Sequence, residues 1–143
     1  MQCHSPKRAA VATFPDMSKQ ELTPELLRKR TKEFAIRIVR LSNGLPRTRE
    51  ADVIGRQVLR SGTSIGANYR AACRARSKPE FISKIGIVVE EADETVFWLE
   101  LLIESDVVRE KKLASLLHEA RELTAIFASS HQTARQTRKR SYI

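Results

Sequence analysis

Residues 61–81, SGTSIGANYRAACRARSKPEF, decide how this chain folds. The stretch holds Gly62 and Gly66 four apart, then Arg70, Arg74 and Arg76 within seven residues, then Ser77-Lys78-Pro79-Glu80. It reads as a flexible basic loop, as a loop cradling phosphate, or as a helix approached closely by another helix. The residues upstream favour the helix. Ile54, Val58, Ser61, Ile65, Asn68 and Ala72 recur at spacings of four and three, the mark of one helical face. Thr48 is placed to cap that helix, with Glu50 and Asp52 in its first turn. A phosphate-binding loop would need Gly-Lys-Ser/Thr, which is absent. Gly55, Gly62 and Gly66 each cost about 1 kcal/mol in a helix interior relative to alanine. Close approach of a second backbone is the gain that offsets such a cost.

Ser77 and Glu80 form a capping box, so the second helix is expected to end near Arg76 and a third to begin at once. Upstream, Thr23-Pro24-Glu25 is a helix start, followed by Leu27, Thr31, Phe34, Ile38 and Leu41 on one stripe. Asn43-Gly44 and Pro46 stop it. The third helix carries a main stripe of Phe81, Ile85, Val88, Ala92, Val96, Leu99 and Ile103. Beside it runs a second stripe of Ile87, Glu91, Glu94, Trp98 and Leu101. One apolar face serves a monomeric bundle, so two suggest a wider buried surface and an oligomer. Ser105-Asp106 supplies a break and a cap, and Leu113, Leu116, Leu117, Ala120, Leu123 and Phe127 make a fourth amphipathic helix. The expected fold is all-α, an antiparallel up-down-up-down four-helix bundle over residues 22–130. Residues 1–21 read as a disordered arm and 131–143 as a basic tail.

Charge is distributed unevenly along these elements. Residues 24–42 carry six basic and two acidic groups, and residues 43–77 carry seven and two. Residues 78–105 reverse this, with two basic and seven acidic groups. Within the cluster Glu90, Glu91, Asp93 and Glu94, Glu90 and Asp93 are expected to face solvent, and Glu91 and Glu94 to meet arginines of the first or second helix or of another subunit. No apolar run is long enough to span a membrane, and the opening lacks a secretory apolar core. Two cysteines make no disulfide framework, which fits a cytoplasmic protein.

The residues encode no recognisable reaction. A di-metal bundle site needs Glu-x-x-His pairs, and none of His4, His118 and His131 follows an acid by three. Cys-x-x-Cys, His-x-x-x-His and Gly-x-Ser-x-Gly are absent too. The expectation is a protein without catalytic residues, metal or cofactor. Arg56, Arg60, Arg70, Arg74 and Arg76 on the second helix and Arg135, Arg138, Lys139 and Arg140 near the end are the candidates for phosphate contact. Gly62, Gly66, Tyr69, Ile87, Glu91, Glu94, Trp98 and Leu101 are the candidates for a subunit interface.

The ordered set Ser61, Ser64-Ile65-x-Ala67-Asn68, Arg74-x-Arg76-Ser77-x-x-Glu80-Phe81 and Glu94-Thr95 resembles a known bacterial family. It is the four-helix-bundle family named after intervening sequences of large-subunit ribosomal RNA genes. The likeness covers about residues 24–127. The family commonly reads Asn-Ile-Ala-Glu-Gly where this chain has Asn68-Tyr69-Arg70-Ala71-Ala72. The resemblance implies a homo-oligomer, often a ring of five. The related accessory proteins of diversity-generating retroelements imply an RNA partner. The reading that follows is a non-enzymatic oligomeric scaffold binding RNA or another acidic partner. Its alternative is a protein-interaction module whose arginines are structural.

Overall fold

The computed structural model describes residues 21–140, with side chains to residue 137. Four helices follow one another: α1 (Pro24–Asn43), α2 (Arg49–Cys73), α3 (Lys78–Glu104) and α4 (Glu110–Arg140). No strand occurs among the described residues. The arm at residues 1–20, with Cys3 and His4, lies outside them.

Local chemistry sets the helix starts. The hydroxyls of Thr23, Thr48 and Ser77 accept from the backbone N–H groups of Leu26, Ala51 and Glu80 at 3.1–3.2 Å. The Glu80 carboxylate reaches back to the N–H of Arg76 at 2.8 Å, one residue before the cap. α2 ends at Cys73, three residues short of the expected Arg76, because Glu80 and Ser77 draw residues 74–77 into a connector.

α3 ends in a Schellman motif: the N–H of Val107 bonds Leu102 O at 3.1 Å and that of Asp106 bonds Ile103 O at 3.0 Å. Asp106 takes the left-handed position, φ 59°. It therefore closes α3 and does not cap α4, as the sequence had suggested. Asp106→Gly is expected to stabilise the chain by up to about 1 kcal/mol, read from its denaturation midpoint, since glycine adopts this conformation freely.

Side-chain pairs define the packing. Gly55 faces Leu45, Gly62 faces Ile38 and Gly66 faces Thr31, so α1 and α2 run antiparallel. α3 and α4 do likewise, with Gly86 against His131 and Glu100 against Arg121. α1 and α4 meet mainly through Arg30, which donates to Glu119 and Glu122, and through Arg37, which donates to Ser115. The core contains Phe34, Ile38, Val58, Ile65, Ile85, Val88, Leu99, Leu102, Leu123 and Phe127.

In two places the core departs from the expected stripes. Tyr69, not Asn68, completes the inner face of α2, stacking on Phe127 at 5.0 Å between ring centroids. Asn68 stays half-buried and donates to Ser64 O. On α3, Thr95 and Leu102 are buried where Val96 and Ile103 had been expected. The Thr95 hydroxyl pairs with buried Ser61 at 2.9 Å, so these small polar positions satisfy each other across α2 and α3.

α4 continues as helix to Arg140, past the boundary at Ser130 expected from composition. No glycine or proline follows Gly86, so nothing in the backbone chemistry stops it.

Candidate functional site

Glycine determines how near α1 lies to α2. A Cβ built on Gly66 would stand 3.3 Å from the carbonyl oxygen of Thr31, and one on Gly62 would stand 2.8 Å from Ile38 Cγ1. The two helices therefore meet almost backbone to side chain, and α1 occupies the glycine face within the same chain.

Above this contact runs a groove of about 600 Å³ lined by Arg28, Thr31, Lys32, Ala35, Thr63, Gly66, Ala67, Arg70, Cys73 and Arg74. Small side chains make its floor and four cations its rims. Arg28 leans on Glu25 at 3.5 Å, an exposed pair worth little. Lys32, Arg70 and Arg74 have no carboxylate within 4.0 Å among the described residues. Among the described residues no acidic side chain lines the groove.

Two of the other basic candidates are held by carboxylates. Arg60 donates to Gln57, to Glu91 at 3.3 Å and to Glu94, binding α2 to α3. Glu94 also accepts from the Trp98 indole at 3.1 Å. Glu91 and Glu94 thus find their partner on α2, one of the locations expected, while Glu90 and Asp93 stay exposed, and Arg60 is spent within the fold. Arg56 pairs with Asp52 at 3.1 Å on the surface. Arg76 is exposed in the α2–α3 connector, and Arg135 is exposed on α4. The side chains of Arg138, Lys139 and Arg140 lie outside the described residues. Of the basic candidates, the structure brings Arg70 and Arg74 together and adds Arg28 and Lys32 from α1, which sequence reasoning missed. Their i, i+4 spacing matches that of Arg70 and Arg74, and this was the available signal.

The interface candidates divide as well. Gly62 and Tyr69 are buried inside the chain and Gly66 lies against Thr31. Burial first, and the neighbouring Cys73 thiol second, push the Tyr69 phenol above its ordinary range. Val53 on α2 and Phe97 on α3 are more than half exposed, and on α3 Ile87 is exposed while Glu91, Glu94, Trp98 and Leu101 are half-buried.

No group of three or more possible metal ligands gathers among the described residues. No helix among them is long and apolar enough to cross a membrane.

The family model described as 23S rRNA-intervening sequence protein matches residues 26–129. The chain belongs to that family. A crystal structure from Bacteroides thetaiotaomicron, described as a protein of unknown function from the S23 ribosomal protein family, is 37% identical. The likeness covers 78% of this chain and 99% of that one, with a TM-score of 0.72. No functionally curated protein matches the chain. The family match spans all four helices, so both rims of the basic groove lie within it.

Proposed function

We propose that this member of the intervening-sequence family is a non-enzymatic, cytoplasmic, homo-oligomeric scaffold that binds RNA through its phosphates. The observation that carries the reading is the α1–α2 groove, where Lys32, Arg70 and Arg74 have no carboxylate partner among the described residues. Cations that already serve a fold are held by its carboxylates, as Arg60 is by Glu91 and Glu94. Three left unpaired along one groove suit an anionic partner from outside. Assembly is supported by exposed apolar side chains, among them Val53 on α2 at 56% and Phe97 on α3 at 55% exposure. The proposed ring of five rests on the resemblance alone.

The expected result is a gel shift of unstructured RNA at low salt that weakens steeply as salt rises, together with a light-scattering mass several times that of one chain. Salt-insensitive binding, or none at low salt, contradicts the RNA reading. A monomer at micromolar concentration contradicts the assembly. The alternative, a protein-interaction module with structural arginines, is favoured locally by Arg60 and by Arg30 with Glu119 and Glu122. Its signature is a protein partner retained after nuclease treatment.

A further inference from the structure

We propose that the α1–α2 groove admits one unpaired nucleic-acid strand, backbone inward and bases outward, and excludes a duplex. This rests on the RNA reading above and assigns it a place and a strand type. The first argument is width. The groove is the notch between two helices drawn together by Gly62 and Gly66, whose neighbours are Ile38 and Thr31. Packed helix axes lie about 8–10 Å apart, so the notch between them takes a single backbone while a duplex rests on its rims.

The second argument is the ladder of charge. Thr31 stands opposite Gly66, and the helices are antiparallel. Lys32 therefore lies level with Gly66, Arg28 with Arg70, and Arg74 one turn beyond. At 1.5 Å per residue these three tiers are about 6 Å apart, close to the separation of successive phosphates along one strand. Three phosphates are thus met in order.

The third argument is what the floor lacks. Among the described residues no aromatic side chain lines the groove, so none of them gives a base an aromatic stacking platform there. The hydroxyls of Thr31 and Thr63 donate to Leu27 O at 2.8 Å and Leu59 O at 2.6 Å, which leaves no floor hydroxyl free to donate to a base. Recognition falls to the cations alone, which makes it sequence-tolerant and steep in salt.

The test is fluorescence anisotropy with the full chain, using a short mixed-sequence RNA, the same RNA annealed to its complement, and polyglutamate as competitor. The single strand is expected to bind at least about tenfold more tightly than the duplex. Its affinity should fall between about 50 and 200 mM salt with a log–log slope near −2, as three phosphates at roughly 0.7 each require. Joint Lys32→Ala, Arg70→Ala and Arg74→Ala substitution should bring the slope below about 1 in magnitude, while Arg56→Ala leaves it unchanged. Ala67→Leu, a neutral plug at an exposed helical position, should weaken the strand without altering helix content.

Equal binding of strand and duplex, with Ala67→Leu and the triple variant unaltered, overturns the groove while leaving RNA binding elsewhere intact. Displacement of the strand by polyglutamate at equal charge overturns it in favour of an acidic protein partner. Binding of neither nucleic acid at low salt overturns both readings.

Discussion

Truncating Phe127 to alanine is expected to remove about 3–5 kcal/mol of stability, the largest loss from any single side chain considered. Phe127 has no exposed surface, and its ring centroid lies 5.0 Å from that of Tyr69 at a tilt of 47°. The pair ties the middle of α4 to the C-terminal half of α2, although these helices are not sequence neighbours. Loss of the ring opens a cavity bordered by fully buried side chains that cannot collapse freely, and it removes an aromatic contact worth about 0.5–1.5 kcal/mol. Against a typical domain stability of about 5–15 kcal/mol this is a large share. Urea denaturation measures it as a lower midpoint at unchanged slope. Tyr69→Phe should retain most of the stability, because the ring pair survives. A Phe127→Ala loss below about 1 kcal/mol would mean that the two rings are not packed as described.

Replacing Gly62 by leucine is expected to cost about 1–2 kcal/mol net. Leucine gains roughly 1 kcal/mol over glycine in intrinsic helix propensity. Overpacking outweighs that gain: even a bare Cβ at this position would stand 2.8 Å and 2.9 Å from Ile38 Cγ1 and Cγ2. Ile38 is itself fully buried and has nowhere to retreat. The diagnostic partner is Ile38→Ala, which alone should cost about 2–5 kcal/mol. In the double variant the new leucine occupies the space Ile38 leaves, so the two costs should fall short of their sum by about 1 kcal/mol or more. Strict additivity in the double-mutant cycle would show that Gly62 and Ile38 do not face each other.

The parts legible in the sequence are those controlled by neighbours in the chain. Thr23, Thr48 and Ser77 cap their helices through bonds to the residue three ahead, and this needs no tertiary information. The faces of α1 and α4 were legible because polar residues surround a narrow apolar stripe. α3 was less so. It is apolar over much of its circumference, and only contact with Ser61 selects Thr95 over Val96 for the core. Tyr69 and Asn68 are adjacent on the α2 surface, and the choice between them depends on Phe127, far along the chain.

The three glycines announced a close helix, as expected, but spacing cannot say whether that helix belongs to the same chain. The same limit hid the groove. Arg70 and Arg74 were visible as a pair, whereas Arg28 and Lys32 join them only through the antiparallel register that Gly66 and Thr31 impose.

Disulfide trapping tests that register most directly. A Cβ on Gly66 would lie 3.4 Å from Thr31 Cβ, at the short edge of the range a disulfide spans. With Cys3 and Cys73 replaced by serine, Thr31→Cys and Gly66→Cys together should oxidise to a bridge within one chain, seen as a faster-migrating monomer on non-reducing gels. Free thiols throughout, or bridges only between chains, would contradict the account, because α1 would then not cover the glycine face of its own α2.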